Sequence, residues 1–323
     1  MAQAAITTDV ACRRGGHAAA PAERLPKPQV SGKPPGVAMM KTFAATLIAA
    51  MFTAACACPS AAPSPGTGAE LAQAIANPAR TEAFRARDRY RRPRETLEFF
   101  DVTPEMTLVE IWPGQGWYTE ILAPYLRDHG HYYAAGYVVS AEQSPQWRKD
   151  DAAEFAAKLK AAPQLYDKVI VTELGLPDRW EMAPPGSADR VLTFRNIHNW
   201  IAGGYEQQMF AAMSRALKPG GIAGVVEHRA NPGATLAQMK QSGYVTEAYV
   251  IQLAESAGLK LQARSEINAN PKDSKDYAQG VWTLPPTLKL GDQDRQKYLD
   301  IGESDRMTLR FVKPLLVAPK NPA

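Results

Sequence analysis

Residues 109–122 read VEIWPGQGWYTEIL. A β-prone apolar run ends in Trp-Pro-Gly-Gln-Gly, and an amphipathic stretch follows. Strand, glycine turn and helix in that order aim backbone amides at one spot with a helix dipole behind them, which suits an anionic group. Outward from this unit the same alternation continues. Apolar runs at 107–112, 131–139, 167–174, 188–195, 221–229 and 259–267 read as strands, and helical patterns at 116–126, 144–162, 205–217 and 246–258 separate them. A last run at 305–314 closes the series. This alternation predicts an α/β fold: a doubly wound, mainly parallel sheet of about seven strands, entered through N-terminal helices. Ligands in such folds sit at the carboxyl ends of the strands.

Three segments follow from composition. Residues 1–65 hold six of the 37 basic side chains, two of the 33 acidic ones and all three cysteines, Cys12, Cys56 and Cys58. The remainder carries 31 charges of each sign, so net charge does not support a nucleic-acid partner. With no cysteine after residue 58, the body has no disulfide framework, thiolate metal site or cysteine nucleophile. Residues 1–38 are rich in Ala, Gly and Pro without an apolar period. From Met39 the chain shows Lys41, an apolar stretch to about Ala55 and then small residues, the anatomy of a secretory signal too short to span a bilayer. TAAC ending at Cys56 resembles a lipoprotein box with Thr53 in place of Leu, and cleavage after Ala57 or Ala62 is the alternative. Arg13–Arg14 lack the apolar stretch that a twin-arginine signal needs. Residues 59–68 read as a tether, 66–100 as a helical extension and 101–323 as the α/β domain. The expected location is exported, periplasmic or lipid-anchored, with the membrane met only through the signal segment or a lipid on Cys56. In the extension, Arg85, Arg87, Arg89, Arg91, Arg92 and Arg94 read as a solvated helical face laced with Glu82, Asp88 and Glu95 in preference to an anion clamp.

In order, VEIWPGQG, ADRVLTFRNIH and MFAAMSRALKPGGIAGVVEH resemble the class I S-adenosylmethionine-dependent methyltransferases, over about residues 97–313. RALKPGG before an apolar strand is the most specific piece. The segments INANPKDSKDYAQGVWTLPPTLKLGD and GESDRMTLRFVKP resemble an exported bacterial subgroup of that family. The resemblance implies a Rossmann-like methyltransferase fold, S-adenosylmethionine as cofactor and a methyl acceptor, a small molecule or otherwise, that the sequence does not name. It places an acid and alternating glycines at Glu110, Trp112, Gly114 and Gly116, so Trp112 departs from the pattern. Proline favours an extended conformation in the residue before it, so Trp112 is expected to continue the strand, with Pro113-Gly114 at the centre of a type II turn. Gly116 would then let the backbone approach a ligand, and the loop through Tyr118 would hold the cofactor. The Trp112 ring either lines the site or wedges into the core.

The resemblance further implies that Glu110 anchors the amino group of the cofactor's methionine part. It also implies an acid after strand two, where only Glu142 stands near, and an adenine contact at Glu173. Arg195, Asn196 and His198 in FRNIHNW would meet cofactor and substrate. If the acceptor must lose a proton, His198 is the first candidate base, with Glu227 and His228 second. No metal site is expected: His129 and His131 alternate on a strand start, and His198 and His228 lie on separate strands. Residues 268–304, with Tyr277 and Trp282, read as a lid. Two other readings compete. A nicotinamide dehydrogenase lacks its third glycine, with Thr119 in that place, and its ribose acid. An exported, non-catalytic binding protein that has lost the cofactor fits both the leader and Trp112.

Overall fold

In the computed structural model, which describes residues 65–315, the chain enters through four helices. These are α1 (Pro65–Ala76), α2 (Glu82–Arg85), α3 (Asp88–Arg91) and α4 (Pro93–Phe99). Strands and helices then alternate: β1 (Thr107–Ile111), α5 (Thr119–Leu126), β2 (His131–Tyr137), α6 (Gln146–Ala161), α7 (Pro163–Tyr166), β3 (Ile170–Leu174) and β4 (Ala188–Phe194). There follow α8 (Ile197–Gly203), α9 (Glu206–Ala216), β5 (Leu217–His228), α10 (Leu236–Ser242), α11 (Glu247–Ser256) and β6 (Lys260–Ser265). A long connection with a 3-10 turn (Gly280–Thr283) and α12 (Arg295–Ile301) leads to β7 (Arg306–Val312). The leader, with its signal anatomy and the three cysteines, lies outside the described residues. No helix among the described residues is long and apolar enough to cross a membrane.

The seven strands form one sheet in the order β3-β2-β1-β4-β5-β7-β6. β1 pairs in parallel with β2 and β4, and every residue from 108 to 111 is buried. That is why this run reads as continuously apolar rather than alternating. β7 is antiparallel to both β5 and β6, so the long connection after β6 brings the chain back between them. The Lys-Pro-Gly-Gly sequence of RALKPGG is taken into the start of β5. Gly220 makes the bend there at φ +82° and donates its N–H to the Lys313 carbonyl at 2.8 Å.

Each face of the sheet has its own core. Leu71 of α1, Leu97 of α4 and Ile121 of α5 pack with Phe155 and Phe194 on one face. Trp200 and Phe210 pack with Leu253 and Phe311 on the other. Local signals explain most helix ends. Pro93 sits in the first turn of α4, Thr235 forms a capping box with Gln238 on α10, and Gly204 and Gly243 close α8 and α10 in the left-handed region. The carboxyl ends of β1, β4 and β5 share one edge, and the connection after β6 passes over it, with the Trp282 ring 6.1 Å from that of His198.

Candidate active site

β1 stops at Ile111, and Trp112 leaves the strand with φ +48°. This corrects the extended conformation expected from the proline that follows. The tryptophan adopts the left-handed backbone that a glycine in its place would supply, a conformation costing on the order of 1–3 kcal/mol. Its side chain accounts for the cost being met. The indole N–H donates to the Leu174 carbonyl at 3.0 Å, and the ring packs 4.8 Å from Tyr137 and edge-on to Trp200 and Tyr205. At 5% exposure it is a wedge in the core. The turn itself runs one residue later than expected, with the Gly116 N–H on the Pro113 carbonyl at 2.9 Å.

The two loop glycines serve different ends. Gly114 (φ +55°) has open space where a Cβ would stand. Gly116 (φ +83°) lies against α6, where a Cβ would be 3.1 Å from the Phe155 ring. Gly116 is therefore fixed by helix packing, and Gly114 is the glycine with an open side. Among the described residues the amides of Gln115, Trp117 and Tyr118 have no hydrogen-bond acceptor, and α5 starts directly behind them.

Glu110 points beneath this loop. Its carboxylate accepts from the Tyr132 hydroxyl and from the Thr119 hydroxyl at 3.3 Å, and it is 3% exposed. Burial raises its pKa to about 7, against the opposing pull of those two hydrogen bonds and of Arg195 and Arg91. In the unfolded chain the group ionises near its ordinary value of about 4.3. Between that value and about 7 the folded state holds the extra proton, so this group's contribution to stability declines as pH rises through that window. Glu110→Gln keeps the shape of the protonated form. The variant is expected to match the parent's thermal midpoint near pH 4.5 and to exceed it at pH 8, by on the order of 3 kcal/mol. Equal midpoints at pH 8 would mean that the carboxylate is stabilised in its ionised form.

Other expected contacts are dispersed. Glu142 is exposed on the β2–α6 loop. Glu173 accepts from the Val139 and Ser140 amides, both at 2.8 Å, and is thereby tied to that same loop. Glu173 lines a cavity with Pro113, Gly114, Gly136 and Tyr137, and so does a residue that the sequence did not single out, Asp151 of α6. Its pKa is raised by burial and by Glu154 and Asp150. Tyr118 stacks on Phe194 with centroids 3.6 Å apart, and burial pushes its phenol up to about 12. Asn196 donates to the Ile111 carbonyl at 2.9 Å and so ties the end of β4 to the end of β1.

His198, expected on a strand, lies in the first turn of α8, just beyond β4, and meets Glu227 and His228 at the end of β5. Glu227 is fully buried and accepts four hydrogen bonds. They come from the Ile197 amide (2.6 Å), the His198 amide (3.4 Å), the His228 amide (2.7 Å) and His198 Nδ1 (3.0 Å). A carboxylate has about four lone-pair sites, so none is left for a cation, although the three side chains are close enough to suggest one. With a carboxylate as acceptor, His198 Nδ1 carries the proton and Nε2 is the basic nitrogen. His228 Nδ1 and the Ser304 hydroxyl lie 2.6 Å apart. Burial, followed by His198, Arg195, Arg306 and Arg91, holds the pKa of His228 well below 6.5, so it stays neutral. Ser304 comes from the lid segment and has no sequence signal of its own.

Beside the histidines lies a buried cationic group. Glu303 accepts from Arg87 at 2.6 Å, Arg306 at 3.1 Å and Arg91 at 3.3 Å. Burial would raise its pKa, but Arg91, Arg306, Arg195 and Arg87 outweigh that and hold it at about 2. Arg91 and Arg306 are each 2% exposed. The expected solvated arginine face is therefore wrong for Arg91, which turns inward against Trp117 and Glu303. Arg195 has φ +61°, and burial pushes its pKa down to about 10.

No protein-family model matches the sequence, and no curated protein does. Solved structures are similar to it in fold. A SAM dependent methyltransferase from Aquifex aeolicus is 14% identical over 71% of this chain and 93% of that one, with a TM-score of 0.47. A geranyl diphosphate C-methyltransferase from Streptomyces coelicolor A3(2) is 14% identical over 74% and 87%, with a TM-score of 0.46. The [4+2]-cyclase SpnF is 16% identical over 72% and 81%, also at 0.46. At these identities the likeness is one of fold alone.

Proposed function

We propose that the protein transfers a methyl group from S-adenosylmethionine to a protic small-molecule acceptor met outside the cytoplasm, with His198 taking the acceptor's proton. The observation that carries this reading is the adjacency of an amide-lined turn to an oriented histidine–carboxylate pair, joined by Asn196. Bound there, the cofactor would supply a methyl group activated on a sulfonium. The residues present fit its amino-acid end. The free amides of Gln115, Trp117 and Tyr118 and the dipole of α5 suit a carboxylate. Asp151 and Tyr137, in the cavity beside Gly114, suit sugar hydroxyls and stand in for the acid missing after β2. Glu227 fixes the tautomer of His198 so that Nε2 can accept a proton, and the buried surroundings limit competing water.

Calorimetric titration of the full chain with S-adenosylmethionine tests the reading. Saturable heat is expected, at least tenfold weaker binding in Gly114→Asn, and unchanged folding, because Asn tolerates the left-handed region and meets open space there. Equal affinity in the variant would move the site off this loop. A second reading has its own support: the Trp112 indole fills the space among Tyr137, Leu174 and Trp200 at the strand ends. That filling suits an exported binding protein that has lost the nucleoside cofactor. Absence of heat with S-adenosylmethionine selects it.

A further inference from the structure

Four guanidinium groups, from Arg87, Arg91, Arg195 and Arg306, surround the single carboxylate of Glu303. Formally the group carries three net positive charges, and two of its four arginines, Arg91 and Arg306, are 98% shielded from solvent. Their hydrogen bonds are incomplete. Among the described residues the Arg195 guanidinium has neither an acceptor nor an ion-pair partner, and Arg91 uses only Nε, at 3.3 Å. Arg306 spends Nη1 on Glu303 and Nη2 on the Tyr90 carbonyl, while its buried Nε has no partner. Arg91 and Arg195 also repel each other. Holding this excess charge out of water is costly, because neither Arg91 nor Arg306 has a carboxylate to itself. Such an arrangement persists where a ligand supplies the missing negative charge.

We propose that Arg91 and Arg195 form a subsite for a dianionic group of the acceptor, a phosphate ester or a pair of carboxylates, next to His198 and His228. Calling this anion the acceptor rests on the methyl-transfer reading; the subsite itself does not. Its place follows from the backbone: the Arg195 amide donates to the Val226 carbonyl at 2.7 Å, immediately before Glu227 and His228. Tyr118 lies on Phe194, the residue before Arg195. The cofactor's own carboxylate is a single charge with donors available in the loop amides, so it leaves most of the excess unbalanced. Arginine suits the role, since its planar fork binds phosphate or carboxylate through two hydrogen bonds at once.

The test uses the full chain saturated with S-adenosylhomocysteine at constant ionic strength in chloride. Inorganic phosphate is titrated in one arm and succinate in another, with heat as the readout. One saturable site is expected for at least one probe, and the stronger arm identifies the chemistry. Affinity should fall at least tenfold in Arg195→Asn, which removes the charge and tolerates the positive φ, and stay unchanged in Arg127→Gln, whose side chain pairs with Asp128 and Asp167 at the surface. The thermal midpoint should rise with the bound probe in the parent and not in Arg195→Asn, a readout independent of heat. No saturable binding of either probe overturns the proposal. So does displacement of S-adenosylhomocysteine by the probe, which would assign the arginines to the cofactor's carboxylate. If phosphate binds through Arg195 while S-adenosylhomocysteine does not bind at all, the subsite stands and the methyl-transfer reading falls.

Discussion

Replacing His198 with Gln is expected to lower methyl transfer by about 10²- to 10⁴-fold, the usual worth of a positioned general base. Gln retains a donor for the Glu227 carboxylate, so the buried acceptor is not abandoned, but it offers no basic nitrogen where Nε2 stands. Affinity for S-adenosylhomocysteine should not change, because no loop amide is disturbed. The measurement is transfer of label from methyl-labelled S-adenosylmethionine into a small-molecule extract of the producing cells, alongside calorimetry. Unchanged transfer would give the proton to another group. Weakened binding at constant transfer would make His198 a cofactor contact.

Glu303→Gln should be the most damaging single change to stability. Among the described residues it removes the one carboxylate that Arg91 and Arg306 share, and breaking such a pair costs about 3–5 kcal/mol. For a domain of this size that amounts to a fall of roughly 10 °C in the thermal midpoint. The sign of the pH dependence is fixed by the depressed pKa of Glu303. Its contribution is complete above the ordinary carboxylate range and fades as pH falls towards about 2. The deficit of the variant should therefore be full at pH 7 and shrink in acid. A variant as stable as the parent at pH 7 would show that solvent, rather than Glu303, balances these charges.

Some of this was legible in the chain. The alternation of apolar runs and helical patterns, with Lys-Pro-Gly-Gly before the fifth strand, gave the mainly parallel sheet. Burial on both faces writes a continuous apolar run at 108–111. His198, Glu227 and His228 could be named singly because Glu227 and His228 end β5 and His198 follows β4 by a few residues. Other features had no local signal. Trp112 was read from the steric rule for residues before proline. The indole's bond to Leu174, 62 residues away in sequence, overrode that rule. The inward turn of Arg91 depends on Glu303, 212 residues away. Asp151 reads in the sequence as one more charge on a highly charged helix.

The sequence by itself determined the seven strands and the longer helices between them, with strand ends placed to within a few residues, because periodicity, proline and glycine act over a few residues. Only the tertiary structure decided which of the strand-end side chains meet, how Glu227 is saturated by three amides and a histidine, and that Arg87, Arg91 and Arg306 share one carboxylate. Those outcomes depend on crossovers that join residues far apart in the chain, and on charge and burial summed over several elements. No window of sequence contains either.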